Sequence, residues 1–95
     1  MNLKQNLAYT MAELNEAYND GTLYEYISDC LEIEYTKSLS GDLKGVNILV
    51  AFGGPNIYIN TRTGKIEAYN AGEYDYVRLT PEVGEELEDI INGMI

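Results

Sequence analysis

The sequence predicts an α+β domain: an antiparallel sheet of four to five strands with N-terminal helices and a C-terminal helix packed on one face. Three observations predict it. Apolar residues recur at steps of three and four at both ends of the chain, they alternate with period two through its middle, and glycine-bearing turns divide that middle into hairpins. A chain of 95 residues is taken as one domain, residues 1–95, with room for a single core and none for a deep cleft between lobes.

The first helix follows from Leu3, Leu7, Met11, Leu14 and Tyr18, which fall on one stripe, and Asp20-Gly21 ends it because glycine tolerates the left-handed conformation there. A short second helix starts at Thr22, with Glu25 completing a capping box, and turns Leu23, Ile27 and Cys30 to the core. Leu31, Ile33 and Tyr35 then alternate with Glu32, Glu34 and Thr36, the pattern of a half-buried strand. After a loop at Lys37 to Lys44, the apolar run Val46 to Phe52 reads as a central strand, and Gly53-Gly54-Pro55-Asn56 as a turn. Ile57 to Asn60 pairs with Lys65 to Tyr69 across Thr61-Arg62-Thr63-Gly64. A further turn at Asn70 to Glu73 leads to an edge strand, Tyr74 to Leu79. Thr80 as cap, Pro81 at the first helical position and Glu82 at the positive dipole end open the last helix, whose apolar face is Val83, Leu87, Ile90, Ile91 and Met94.

Charge narrows the function. Sixteen acidic residues against six basic ones give a net charge of −10, which repels phosphate backbones and anionic lipid and attracts basic surfaces. The expected partner is a basic protein surface, with neither direct nucleic-acid binding nor membrane attachment. No stretch reaches the roughly 20 apolar residues of a membrane span, the start of the chain lacks a signal-peptide pattern, and the single Cys30 forms no internal disulfide. A cytoplasmic location is expected.

Catalytic patterns are sparse. Without histidine there is no imidazole base, no Ser-His or Cys-His pair and no His-containing metal set. Glu32 and Glu34 lie ~7 Å apart on an extended strand, near an inverting glycosidase spacing, but a flat sheet face has no cleft for a sugar. Gly64-Lys65 lacks the rest of a phosphate loop and reads as a hairpin turn. No cofactor or metal is called for, and no enzyme is expected.

Two surfaces remain as candidates. Alternation brings Glu32, Glu34, Tyr58, Glu67 and Tyr69 to the sheet face opposite Ile33, Ile57, Ile59 and Ile66, where tyrosines supply apolar area and a hydrogen bond at low entropic cost; a plain solvated sheet face would carry the same residues. On the last helix Glu82, Glu85, Glu86, Glu88 and Asp89 place five acids in eight residues with no base among them. That is one charge per ~2.4 Å at 1.5 Å per residue, against one per ~1.7 Å on duplex DNA. Such a run also serves solubility.

The segments LEIEY (31–35) and GGPNIYINTRTGKIEAY (53–69), followed by the acidic helix, together resemble short acidic accessory proteins carried by phages and conjugative elements, anti-CRISPR proteins among them. The resemblance spans residues 31–95 and rests on structural motifs, so no residue role is carried over. It implies a non-enzymatic inhibitor that occupies the basic groove of a nucleic-acid-binding defence protein such as a Cas nuclease, by acidic mimicry of the backbone. The alternative is an immunity- or antitoxin-like interaction module, or an oligomeric subunit, that binds through the aromatic sheet face.

Overall fold

The computed structural model describes residues 2–95. Helix α1 (Leu3–Asp20) and the short α2 (Leu23–Ser28) precede five strands, β1 (Glu32–Lys37), β2 (Leu43–Ala51), β3 (Asn56–Asn60), β4 (Lys65–Asn70) and β5 (Glu73–Arg78), and α3 (Pro81–Met94) closes the chain. The strands form one antiparallel sheet in the order β1-β2-β3-β4-β5. Every connection is therefore a hairpin, as the turn signals predict. The helices lie on one face, α1 over β4 and β5 and α3 over β2.

Register explains the core. Ile33, Ile48, Ile59, Ile66 and Val77 form one unbroken row across all five strands. Against it pack Leu7 and Leu14 of α1, Leu23 and Ile27 of α2, and Val83, Leu87 and Ile91 of α3, all buried. The buried core is aliphatic throughout, and each of the nine tyrosines keeps at least part of its surface exposed.

Several local expectations change. Thr22 makes no capping bond to α2; its hydroxyl donates to the Ala17 carbonyl, because the backbone at Thr22 is already committed to the left-handed turn at Gly21 that ends α1. The capping box forms instead at Asn2 and Gln5, at the start of α1. Thr80 likewise donates to Asn15 Oδ1 at 3.1 Å, tying α3 to α1 rather than capping α3. Tyr18 is exposed and Ala17 takes the buried position on α1. Cys30 lies just past α2 and is half-buried, and burial pushes its thiol pKa up.

β1 is an outer strand rather than a half-buried one: Leu31 is 61% and Tyr35 49% exposed, and only Ile33 joins the core. The alternation is real, but the two long helices cover β2, β4 and β5 and leave the inward side of β1 largely bare. Met94 at the end of α3 is also exposed.

Candidate functional site

The face of the sheet away from the helices is organised in three rows. Glu34, Asn47, Asn60, Lys65 and Arg78 run across all five strands. The neighbouring row is Glu32, Leu49, Tyr58, Glu67 and Tyr76, and Asn56, Tyr69 and Tyr74 form a shorter third. All five predicted sheet residues therefore share this face. Tyr74, Tyr76, Lys65 and Arg78 join them, and the missed signal was the two-residue turn Ala71-Gly72, with φ of 50° and 85°, which sets β5 in register with β4.

The tyrosines touch. Tyr58 meets Tyr69 edge to face with ring centroids 5.9 Å apart, Tyr69 and Tyr74 are 5.0 Å apart, and Tyr74 and Tyr76 6.2 Å. Lys65 Nζ stands 4.3 Å over the Tyr76 ring. Glu67 Oε2 accepts from the Tyr74 hydroxyl at 2.8 Å and from Tyr69 at 3.5 Å. That bond, with loss of hydration and the nearby carboxylate charge, pushes the Tyr74 pKa up to about 12; burial and Glu67 raise that of Tyr69. Glu67 is thus occupied, and with Glu32 and Glu34 offset by Lys65 and Arg78 the face is close to neutral. Beside the tyrosines a shallow depression of about 440 Å³ is lined by Glu34, three asparagines, Tyr58, Glu67 and Tyr69. Leu49 is buried on this face although it belongs to no core cluster.

The negative charge lies on the other side. The three helices carry nine acidic residues against Lys4 alone, whereas the strands carry five against four basic ones. On α3, Glu82, Glu85, Glu86 and Asp89 stand at i, i+3, i+4 and i+7, all exposed, and line a groove with Tyr18 and Asn19 of α1. Glu88 does not belong to this stripe. Its Oε2 accepts from the Thr61 hydroxyl at 2.8 Å, and the same hydroxyl oxygen accepts from the Val46 amide at 2.9 Å. Glu88 therefore holds α3 to the β3–β4 turn and to β2. Among the described residues one ion pair within 4.0 Å is formed, Lys4 with Asp75 at 3.9 Å, so the stripe is not neutralised locally.

The remaining motifs are structural. Gly53 has φ of 106° and donates its amide to Asn56 Oδ1 at 2.7 Å, which uses internally one of the amides the Gly53–Asn56 loop offers. Gly64, at φ 69°, turns the β3–β4 hairpin. Among the described residues no three His, Cys, Asp or Glu side chains are placed to hold a metal ion. Among the described residues no helix is long and apolar enough to cross a membrane. Comparison with protein-family models, with curated proteins and with solved structures returned no match to this chain.

Proposed function

We propose that the chain is a non-enzymatic inhibitor that enters the basic groove of a nucleic-acid-binding defence protein, a Cas nuclease being the type of target, through its helical layer. The observation that carries this reading is the segregation of charge, nine acids against one base on the helices. With Glu88 withdrawn, the four acids of the α3 stripe fall over eight residues, or one charge per ~3 Å of helix axis at 1.5 Å per residue. A single nucleic-acid strand carries one per ~3.4 Å. The stripe thus repeats the linear charge density of one strand, on a scaffold that holds it rigid.

The sheet face supports the alternative, a module that grips its partner through tyrosines, and salt separates the two. Binding to a purified Cas nuclease, measured by calorimetry at 50 and 200 mM salt, is expected to weaken steeply with salt and to compete with the guide–target duplex. The reversal E82K/E85K/E86K, which spares Glu88, is expected to abolish binding while the far-UV circular dichroism stays unchanged. Unaltered binding by a folded triple variant would sink acidic mimicry. Binding indifferent to salt and lost on Tyr58→Ala would move the contact to the sheet.

A further inference from the structure

We propose that the open sheet face is a self-association surface that takes a second copy of this chain, related by a two-fold axis running parallel to β3 between the two sheets. The proposal does not depend on the target of the acidic stripe, which lies on the opposite side of the molecule.

Charge complementarity selects the occupant. The row Glu34, Asn47, Asn60, Lys65, Arg78 is acidic at its β1 end and basic at its β4 and β5 end. A two-fold axis along the central strand reverses the row, so that Glu34 of one copy faces Arg78 of the other, twice per dimer, while Asn47 faces Lys65 and Asn60 meets Asn60. Within one chain these ends are four strand spacings apart, ~19 Å, so Glu34 and Arg78 cannot satisfy each other in the monomer. Sheets packed face to face stand about 10 Å apart and within about 30° of parallel, a gap that a glutamate and an arginine reaching from either side can close.

Long-range charge allows this contact and opposes the others. Two chains of charge −10 repel most when their helical layers meet and least when those layers point outward. The near-neutral sheet face is the one that can approach its copy. On its β4–β5 side lie the means of adhesion: Tyr69, Tyr74 and Tyr76 are 42%, 46% and 45% exposed, continuous with Tyr58 on the axis strand, and the same axis lays them over β1 and β2 of the second copy.

Size sets the strength. Five strands at ~4.8 Å and six residues at ~3.3 Å give each face roughly 480 Å² in projection, so a pair covers about 1,000 Å². That is the small end of specific interfaces, and a concentration-dependent dimer is expected rather than a permanent one.

The test is sedimentation equilibrium of the full chain from roughly 1 μM to 1 mM in moderate salt. Wild type is expected to pass from monomer to dimer across that range. Glu34→Arg and Arg78→Glu, both at exposed positions, should each weaken the dimer about tenfold or more, since each sets like charges face to face. The double variant E34R/R78E should regain most of the lost affinity, because the pair it restores is intermolecular. A monomer at every concentration, a dimer indifferent to the single reversals, or a double variant no better than the singles would overturn the proposal. Independently of any substitution, amide shifts of wild type recorded against concentration should change on β1 to β5; changes confined to the helices would also overturn it.

Discussion

Glu67 is the residue on which the sheet face turns, because one carboxylate oxygen holds two tyrosine hydroxyls and so fixes the arrangement of the rings around it. A carboxylate favours the protonated phenol, and the Glu67 hydrogen bond pushes the Tyr74 pKa up to about 12 from the usual ~10. Tyr26 is pushed up to about 12 as well, first by burial and then by Glu13. The unfolded chain releases these protons at about pH 10 while the folded chain keeps them, so their contribution to stability is complete below that pH and is lost as pH rises towards 12. Urea midpoints measured between pH 9 and 12 should fall with pH, less steeply in Tyr74→Phe. In Glu67→Gln, tyrosinate absorbance should show the late Tyr74 component move down towards ~10; a component that stays put would mean that Glu67 does not set it. Glu88 has a different office. Glu88→Ala leaves the Thr61 hydroxyl without its charged acceptor and is expected to cost ~1–2 kcal/mol in urea unfolding, whereas Glu85→Ala on the free stripe should cost almost nothing. The distinction was readable in advance, since at about 100° per residue Glu88 stands well off the line through Glu82, Glu85, Glu86 and Asp89.

The helix caps separate what local sequence determines from what tertiary structure decides. Asn2 accepts from the Gln5 amide at 2.8 Å and Gln5 Oε1 accepts from the Asn2 amide at 3.0 Å, so Asn2→Ala should lower stability by ~1 kcal/mol. Thr22→Ala, at a residue that fits the same motif but bonds backwards to Ala17 at 3.4 Å, should cost clearly less; equal losses by thermal unfolding would refute the assignment. Both motifs have the right letters. Only Asn2 has the extended backbone, φ −79° and ψ 173°, that aims its side chain at the first turn. The strands repeat the lesson. Hairpin β3–β4 was legible because turn chemistry and alternation agree over Ile57 to Tyr69, and the placing of Glu32, Glu34, Tyr58, Glu67 and Tyr69 on the open face followed from parity alone. The exposure of Tyr35 and Leu31 did not, because a period of two names the face a residue takes and not whether a helix lies over it. The position of Lys65 opposite Arg78 was illegible for a related reason: it needs the register of β5, which one backbone turn of positive φ determines.

At the scale of the whole molecule, the helices bear the cost of the charge that the proposed function uses. Glu82, Glu85, Glu86 and Asp89 make four like-charge pairs at three- and four-residue spacing, each destabilising by about 0.2–0.5 kcal/mol, or roughly 1–2 kcal/mol together. Lysines at alternate places would have removed that repulsion and with it the attraction for a basic groove. Salt is expected to reveal the balance, since the Debye length falls from ~30 Å at 0.01 M to ~3 Å at 1 M, shorter than the ~5–6 Å between neighbouring stripe residues. Sodium chloride, which avoids the surface-exclusion effect of sulfate, should therefore raise the urea midpoint of the wild-type chain while weakening its hold on a basic partner. The variant E82Q/E85Q/E86Q/D89N keeps the shapes and removes the charges. It should be more stable than wild type at low salt by roughly 1 kcal/mol, the removed repulsion being partly offset by the loss of the Glu82 charge at the positive end of the α3 dipole, gain less from added salt, and fail to bind. A neutralised stripe that is no more stable and still binds would show that the acids of α3 serve solubility alone; the opposite result would show stability given up for recognition, the trade expected where a surface is kept for a partner.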